Sequence, residues 1–345
     1  MKRKASRKNT RHKLWAVLFS VFLIGYTMLT LLQTFVLPSN VVSADEITQT
    51  TATTTGNTNV TATAGNTSSD GGTSSDTSSS SDTSAAESSD SADSTSSTDT
   101  ATVTDTSYEA DGVSISITTE RVDNTTVYIA DIVLDDPSRL MSGLANGSFG
   151  RNVTETTSEI AGEVGAILAI NGDYYGSRNS GYVMRNGYLY RSTQSSDSGQ
   201  EDLVIYEDGT MDIIQESEVT AEELEADGAV QIYSFGPGLV EDGEIAVDSG
   251  DEVQRAQQSN PRTAIGMIDV GHYVMVVADG RTSESTGLSL SSLASVMQDL
   301  GCTVAYNLDG GGSTTMYFNG EVINNPTSNG KTIKERSVSD IVYVA

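Results

Sequence analysis

Residues 273–313 read YVMVVADGRTSESTGLSLSSLASVMQDLGCTVAYNLDGGGS and contain two apolar runs separated by a segment of helical periodicity. The period over 288–300 predicts a helix that ends at Gly301. Because a strand, a helix and a second strand follow one another, we expect the two strands to run parallel. The residues that follow them, Asp279 and Asp309, are then expected at one edge of a sheet, about 5 or 10 Å apart as immediate or next neighbours.

The rest of the C-terminal part reads mostly as strands with turns between them. Turn residues between alternating segments predict hairpins at Asp123-Asn124, Asn186-Gly187, Glu207-Asp208-Gly209, Asp242-Gly243 and Asn319-Gly320. A weaker helical period covers 153–164. The sequence therefore predicts an α+β fold over residues 108–345, a mixed β-sheet domain with several hairpins and a few helices, preceded by a transmembrane helix and a disordered linker.

The chain has 345 residues and a formal net charge of −28, but its first residues are basic. Residues 1–13 carry seven Lys and Arg and no acid, and residues 14–37 form 24 uncharged positions. That stretch is long enough to cross roughly 30 Å of hydrocarbon as a helix. Since Lys and Arg flanks stay in the cytoplasm, we expect a basic cytoplasmic tail at 1–13, with everything after 37 outside.

Two interpretations of residues 14–37 remain open. A secretory signal has an apolar region of about 7–15 residues, and the longer run favours a retained anchor in the cell membrane, single-pass with the C-terminal domain extracellular. Val42-Ser43-Ala44 resembles a cleavage site, so the alternative is secretion after cleavage following Ala44. Both alternatives place the C-terminal domain outside the cytoplasm.

Residues 38–107 differ in composition from the C-terminal domain. They are mostly Ser, Thr, Asp, Ala, Asn and Gly, with ten acidic residues, no basic residue and no aromatic residue. Such a segment buries too little apolar surface to offset its chain entropy. The sequence predicts a disordered linker here, either a spacer that extends the domain through a cell wall or an inert stalk.

Composition also excludes several functions for residues 108–345, which carry 12 basic and 37 acidic residues. So acidic a domain is not a general nucleic-acid binder. The single cysteine, Cys302, rules out an intramolecular disulfide framework and a thiolate zinc finger. The glycine run at 310–312 lacks the Gly-Lys-Ser/Thr ending of a nucleotide-binding loop, and no Gly-x-Ser-x-Gly motif supports a Ser-His-Asp hydrolase.

A third apolar run, 166–170, ends at Asn171-Gly172-Asp173, so each of three buried runs stops at a polar residue followed by glycine. A polar side chain just beyond a strand projects from the rim of the sheet, and the glycine permits close approach of a ligand or another backbone. An isolated Asp-Gly is most often a turn. Three consecutive glycines at 310–312 cost backbone entropy, and their N–H groups are candidates for an anion nest.

Six motifs in order resemble the phosphodiester glycosidase domain family and cover most of 160–345. They are NGDYY (171–175), GPGLVEDGEI (236–245), NPRTAIG (260–266), VADGR (277–281), NLDGGGSTTMYFNGEVIN (307–324) and RSVSDIVYV (336–344). The resemblance implies a hydrolase that cleaves a sugar C1–O–phosphate linkage, and the N-terminal pattern places it outside the cytoplasm. We expect no cofactor and no metal. Its expected substrate is a cell-surface or exopolysaccharide-type glycan or another sugar phosphate.

The motifs, together with the strand ends, give the candidate site residues. The expected catalytic residues are Asp309, Asp279, Asn171 and Asp173. The expected substrate- or phosphate-binding residues are Arg262, Thr263, Arg281, Gly310, Gly311, Gly312, Ser313 and Arg336. In this hypothesis carboxylates act as base or nucleophile and stabilise the sugar cation, while arginines and glycine amides hold the phosphate.

Two other functions fit the same residues. The domain could be a non-catalytic binding module for an anionic cell-wall polymer on a membrane-tethered stalk. An acidic rim also attracts Ca²⁺ or Mg²⁺, although no regular Asp-x-Asp loop supports a metal site. The net charge of −25 on residues 108–345 repels anions at long range, so a phosphodiester needs a local positive pocket, for which Arg262 and Arg336 are the candidates.

Overall fold

The computed structural model describes residues 101–247 and 259–345, together with the backbone of a short strand at Ser39–Ser43. The predicted cytoplasmic tail, the predicted membrane segment and most of the predicted linker lie outside these residues. In the part of the chain that is described, no helix has both the length and the apolar character needed to cross a membrane.

Strands make up most of the described residues, and three α-helices accompany them. The first strands in chain order are β1 (Ser39–Ser43), β2 (Thr102–Val103), β3 (Ser107–Ala110), β4 (Val113–Val122), β5 (Thr125–Leu134), β6 (Leu140–Leu144), β7 (Ser148–Arg151), β8 (Leu168–Asn171), β9 (Val183–Arg185), β10 (Tyr188–Arg191) and β11 (Glu201–Tyr206). The remaining strands are β12 (Met211–Gln215), β13 (Ala229–Tyr233), β14 (Gly238–Glu241), β15 (Glu244–Ile245), β16 (Arg262–Asp269), β17 (His272–Ala278), β18 (Val304–Leu308), β19 (Met316–Phe318), β20 (Glu321–Val322) and β21 (Asp340–Val344). The helices are α1 (Thr157–Val164), α2 (Ala221–Ala226) and α3 (Leu290–Asp299).

The strands form three large sheets and one small one. The first sheet has nine strands in the order β15-β14-β18-β16-β17-β5-β4-β3-β2. The second has the order β20-β19-β8-β21-β6, the third has the order β10-β9-β13-β11-β12, and β1 pairs with β7. Every neighbouring pair among the described strands is antiparallel, so the expected mixed sheet is corrected to antiparallel sheets. Hairpins, which join antiparallel neighbours, connect β2–β3, β3–β4, β4–β5, β9–β10, β11–β12, β14–β15, β16–β17 and β19–β20. The helical crossover joins next neighbours, so it adds no parallel pair.

The two strands joined by the helical crossover run parallel, as predicted, although a third strand lies between them. Strands β17 and β18, on either side of α3 in the chain, each pair antiparallel with β16 and therefore run parallel to each other. As next neighbours they lie about 10 Å apart. Strand β16 begins between their ends, where Arg262 pairs with Ala278 and Thr263 pairs with Leu308. Asp279 and Asp309 thus follow their strands at the same edge of the nine-stranded sheet.

The predicted hairpins and helices occur where the sequence placed them. Asp123 and Asn124 join β4 to β5 with φ of 45° and 58°, and Asn186 joins β9 to β10 with φ of 51°. Positive φ at both central residues matches the type I′ turn that such hairpins favour. Helix α1 begins after Thr156, whose side chain accepts a hydrogen bond from the backbone of Glu159 in a capping box.

The nine-stranded sheet is covered on both faces, because its central strands carry apolar side chains on both of them. In β17, Met275 and Val277 belong to the core shared with the second and third sheets, whereas Val274 and Val276 pack into the cluster formed with α3. Successive side chains of a strand point to opposite faces, so a strand that is apolar at every position is buried on both. The α3 side chains in that second cluster include Leu293.

The start of β16 is held by a close backbone contact that only glycine permits. A Cβ on Gly287, whose φ is 101°, would lie 2.4 Å from the carbonyl carbon of Asn260. Asn260 and Leu288 exchange two backbone hydrogen bonds of 2.9 and 3.2 Å beside this contact. The segment before α3 is therefore fixed against the residues that lead into β16.

We expect Gly287→Ala to lower the free energy of unfolding by about 3 kcal/mol or more, since strain from a left-handed φ, about 1–2 kcal/mol, adds to steric displacement of about 1–3 kcal/mol. The matched control is Gly301→Ala, because Gly301 has φ of 86° but no atom within 4 Å of the added Cβ. Urea unfolding of the two variants measures the difference. Equal losses of stability in both would contradict the close-contact explanation.

Candidate active site

The ends of β8 and β18 and the start of β16 meet at one point between two sheets. The side chain of Asn171, the last residue of β8, donates from Nδ2 to the backbone oxygen of Asp309 over 2.6 Å. Its Oδ1 accepts a hydrogen bond of 2.9 Å from Thr263 Oγ1. Asn171 and Thr263 are both fully buried. The two residues therefore hold the end of β8 and the start of β16 against the end of β18.

The carboxylate of Asp309 is the centre of a three-residue hydrogen-bonded group. Its Oδ2 accepts 2.7 Å from Ser313 Oγ and 2.8 Å from Arg336 Nη2. Arg336 Nε also donates to Ser313 Oγ over 2.9 Å. Burial raises the pKa of Asp309 above its ordinary value, while the Arg336 charge and the Ser313 hydrogen bond oppose that rise. The structure thus brings together three of the predicted site residues.

These three side chains line part of a cavity of about 340 Å³. The residues that line it are Thr154, Tyr174, Ser177, Asp309, Ser313, Arg336, Ser337, Val338 and Ser339. The lining is rich in hydroxyl groups, which hydrogen-bond to sugar hydroxyls and phosphate oxygens alike. The Arg336 side chain is 48% exposed and the Asp309 side chain 15% exposed, so a ligand reaches both. Among the lining residues Asp309 carries the carboxylate and Arg336 the positive charge.

An aromatic wall, which was not among the sequence predictions, borders this cavity. The Tyr174 ring packs edge-to-face against Phe235 with centroids 5.3 Å apart. The Arg178 guanidinium lies 4.4 Å from the Tyr174 ring centroid and donates to the Tyr174 hydroxyl over 2.9 Å. Arg178 brings a second positive charge near the cavity. Its position four residues after Tyr174, and three beyond the end of the NGDYY motif, was the available signal.

Asp279 lies at the predicted sheet edge but does not line the cavity. It is 4% exposed. Its Oδ1 accepts from Asn325 N at 2.9 Å and Asn324 Nδ2 at 3.2 Å, and its Oδ2 accepts from Asn325 Nδ2 at 2.9 Å. This carboxylate is occupied in holding the turn at 324–325, and its expected catalytic role stays a prediction. Burial of Tyr128 raises its pKa to about 12, and the negative charge of Asp279 contributes to that rise.

Asp173 is likewise a buried structural carboxylate rather than a group that faces the cavity. It is 1% exposed and accepts from Tyr175 N, Arg185 Nη2 and Ser234 N at 2.8, 2.9 and 3.0 Å. These donors occupy both of its oxygens. These contacts give Asp173 a structural role, and its expected catalytic role stays a prediction.

Two of the three predicted arginines are not among the residues that line the cavity. Arg262 is 8% exposed and donates from Nε to the backbone oxygen of Leu288 over 3.0 Å. Arg281 donates to the backbone oxygen of Ser328 over 2.9 Å. Arg336 is the predicted arginine that lines the cavity, and the expected contacts of Arg262 and Arg281 with phosphate stay a prediction.

The glycine run is used for close packing and not as an open anion nest. The amide of Gly311 donates to the backbone oxygen of Pro261 over 2.9 Å. A Cβ on Gly310 would lie 2.7 Å from that same oxygen, and a Cβ on Gly312 would lie 2.3 Å from Ser328 Oγ. The run therefore lets the chain pass between Pro261 and Ser328 so that Ser313 reaches Asp309. The expected role of the Gly311 amide in holding phosphate is corrected.

The described residues offer no candidate for a metal site or for a thiol nucleophile. Within 101–247 and 259–345, no cluster of three or more His, Cys, Asp or Glu side chains is placed to hold a metal ion. The thiol of Cys302 is buried, and burial raises its pKa to about 12. A thiol with so high a pKa is a poor nucleophile at neutral pH.

Comparisons with known proteins agree with the resemblance seen in the motifs. In Bacillus subtilis (strain 168), the SPbeta prophage-derived uncharacterized protein YomE is 33% identical over 202 residues, which are 57% of this chain and 30% of that protein. In Mus musculus, N-acetylglucosamine-1-phosphodiester alpha-N-acetylglucosaminidase is 29% identical over 212 residues, which are 56% of this chain and 40% of that protein. The chain thus spans less than half the length of either relative.

A solved structure supports the fold, and a family model covers the site. The zebrafish N-acetylglucosamine-1-phosphodiester alpha-N-acetylglucosaminidase catalytic domain, auto-inhibited by its pro-peptide, has a TM-score of 0.53 and 23% identity, covering 67% of this chain and 82% of that one. At this identity the likeness concerns the fold alone. The phosphodiester glycosidase family model matches residues 164–345, which contain all the predicted site residues and most of the cavity lining. The chain therefore belongs to the phosphodiester glycosidase family.

Proposed function

We propose that this chain is a hydrolase that cleaves a sugar-1-phosphodiester at the bond between the anomeric carbon and the phosphate oxygen. Water adds to C1, the sugar is released, and the phosphate leaves as a phosphomonoester. The observation that carries the proposal is the Asp309 carboxylate paired with Arg336 in a hydroxyl-lined cavity. Family membership and the activity in the name of the mouse relative support it.

Asp309 acts at the sugar carbon in this proposal. As C1–O cleavage proceeds, positive charge develops on the sugar ring, and a nearby carboxylate stabilises it and serves as base or nucleophile. Two-carboxylate glycosidases use a second acid to protonate the leaving group. A departing phosphate is already a stable anion, so a positive charge serves it in place of an acid. The occupied carboxylate of Asp279 is therefore not needed for the reaction.

Arg336 and Ser313 act at the phosphate. A planar guanidinium matches the spacing of two phosphate oxygens, and the half-exposed Arg336 has N–H groups beyond the one that binds Asp309. The Ser313 hydroxyl, which donates to Asp309 and accepts from Arg336, fixes the guanidinium beside the carboxylate. The two groups place the phosphate beside Asp309 so that the anomeric carbon lies over the carboxylate. Tyr174 offers an aromatic surface and several hydroxyl side chains offer hydrogen bonds to the sugar.

The setting of the reaction is proposed from the sequence pattern. The uncharged run at 14–37 after a basic tail supports a membrane anchor with the domain outside the cell. The long Ser/Thr/Asp-rich segment then acts as a spacer, and the substrate is a phosphodiester in a cell-surface or exopolysaccharide-type glycan.

The first prediction concerns the carboxylate. We expect Asp309→Asn to lower kcat/KM about 10³-fold on an activated sugar-1-phosphodiester, within the range of general-base contributions of about 10²–10⁴. Asp269→Asn is the matched control, since Asp269 is exposed at the opposite end of β16. Unchanged turnover in Asp309→Asn would remove the assignment. Binding of the diester by the unmodified protein without release of sugar or phosphate would favour the non-catalytic module instead.

The second prediction concerns pH. Activity requires ionised Asp309, so kcat/KM should rise with pH, with a midpoint above the usual aspartate value of about 3.9 because burial raises the pKa of Asp309. Arg336→Gln should move this midpoint higher still, because the lost guanidinium had lowered the pKa, and should also raise KM. A pH profile of both proteins measures the shift. A midpoint that stays in place or falls in Arg336→Gln would contradict the pairing.

The third prediction concerns location. With a retained anchor, the full chain expressed in its cell should sediment with membranes and resist carbonate extraction, and a chain without residues 1–37 should not. N-terminal sequencing distinguishes the alternatives, since an intact start at Met1 supports the anchor. A mature chain that starts at Asp45 and appears in the medium would show secretion.

A further inference from the structure

A fully buried arginine lies behind the cavity between two carboxylates. Arg185, at the end of β9, donates from Nη2 to Asp173 Oδ2 at 2.9 Å and from Nε to Asp340 Oδ2 at 2.8 Å. Its Nη2 also lies 2.7 Å from Asp340 Oδ2 in an ion pair. Its Nη1 donates to the backbone oxygens of Met184 and Ile232. The guanidinium therefore makes four hydrogen bonds and ion pairs with both carboxylates. No sequence motif predicted a role for Arg185.

Each of the two carboxylates adjoins one wall of the cavity. Asp173 directly precedes Tyr174 on one wall, and Asp340 directly follows Ser339 at the end of the other wall, which begins at Arg336. The two walls come from different parts of the chain, and Arg185 joins them through side-chain contacts.

The main chain of Asp309 is attached to the same group. Asp340 accepts a backbone hydrogen bond of 3.0 Å from Gly172, and Gly172 accepts one of 3.3 Å from Asp309. Displacement of Asp340 would thus be transmitted to the residue proposed to act at the sugar. A misplacement of about 1 Å in such a constellation costs on the order of 10²-fold in rate.

The buried group carries one negative charge in excess when both carboxylates are ionised. Asp173 accepts N–H donors through both oxygens, whereas Asp340 Oδ1 is buried with no hydrogen-bond partner among the described residues. This oxygen lies against Gly172, where a Cβ would be 2.6 Å away. An unpaired buried charge costs far more than a neutral carboxyl, so the relieving proton belongs on Oδ1.

Electrostatics at Asp340 agree with this placement. Burial raises the pKa of Asp340 to about 8, with Arg185 opposing the rise and Asp173 adding to it. The titratable and charged groups that face Asp340 from the surrounding elements are Asp173 after β8, Tyr175 before β9, Arg185 on β9, Tyr233 on β13 and Asp309 after β18. Burial raises the pKa of both tyrosines, so they stay neutral across the range in which Asp340 ionises.

We propose that Arg185 is a positioning residue for the candidate active site. It holds the two cavity walls at a fixed separation through Asp173 and Asp340, and it does so fully only while Asp340 carries a proton. Loss of that proton leaves an unpaired buried charge beside Asp173 and Asp309, and the walls separate to relieve it. The kinetic consequence rests on the proposed function, but the proton and the bridge do not.

The first test needs no activity. The folded state keeps a proton on Asp340 that the unfolded chain loses near pH 4, so this group's contribution to stability falls as pH rises from about 4 to about 8. Asp340→Asn removes that contribution. We expect the Tm difference, Asp340→Asn minus unmodified protein, to increase steadily between pH 5 and pH 8. Asp269→Asn, with the same change of charge at an exposed site, should show a constant difference. A constant difference for Asp340→Asn would overturn the proton assignment.

The second test is kinetic. Arg185→Lys keeps the positive charge but cannot bridge both carboxylates, and kcat/KM should fall about 100-fold. The unmodified protein and Asp269→Asn should lose kcat/KM above pH 8, whereas Asp340→Asn should show no such alkaline fall. An Arg185→Lys protein within twofold of the unmodified one, or an unchanged alkaline fall in Asp340→Asn, would overturn the positioning role. The Asp340→Asn profile decides this even where Arg185→Lys does not fold. No turnover by the unmodified protein on any diester refutes the proposed function and leaves the Tm test in force.

Discussion

The candidate site depends on the buried carboxamide of Asn171, which uses every hydrogen-bonding position it has and reaches the nine-stranded sheet through two of them, at Asp309 and Thr263. Its Nδ2 donates to the backbone oxygens of Gly172 and Asp309, and its Oδ1 accepts from Thr263 Oγ1 and Thr315 N. A carboxamide has two donors and two acceptor positions, so the group is fully satisfied. Loss of it would leave several buried polar groups unpaired, at about 1–3 kcal/mol each. The position of Asp309 relative to the second sheet follows from this contact.

Several of the few arginines in this acidic domain lie around the loop that follows β8. Arg178, Arg185 and Arg191 gather there, with Arg191 donating to the backbone oxygens of Tyr175 and Arg178, and Arg336 approaches from the other wall. Charges beyond about 8 Å are largely screened at physiological ionic strength. Local arginines therefore decide whether a phosphate enters the cavity, and the net charge of the domain affects mainly the rate of encounter.

Much of this arrangement could be predicted from residues 273–313 and from the motifs, because strand ends and their polar residues are local features of a sequence. The common edge for Asp279 and Asp309, and the presence of Arg336 and Ser313 near them, follow from that reasoning. Side-chain direction does not, because partners distant in the chain determine it. Asn324 and Asn325 occupy Asp279, and a strand residue such as Arg185, one position before a hairpin turn, resembles a surface residue until its buried carboxylates are known.

The central claim is that the bond broken lies between the anomeric carbon and oxygen, with the phosphate as leaving group. Hydrolysis of a sugar-1-phosphodiester in H₂¹⁸O, with mass spectrometry of the phosphomonoester product, tests this directly. Attack of water at C1 leaves the phosphomonoester with only its original oxygens, so the account predicts no ¹⁸O in it. One ¹⁸O atom in the phosphomonoester would show attack at phosphorus and would contradict the assignment of Asp309 to the sugar carbon.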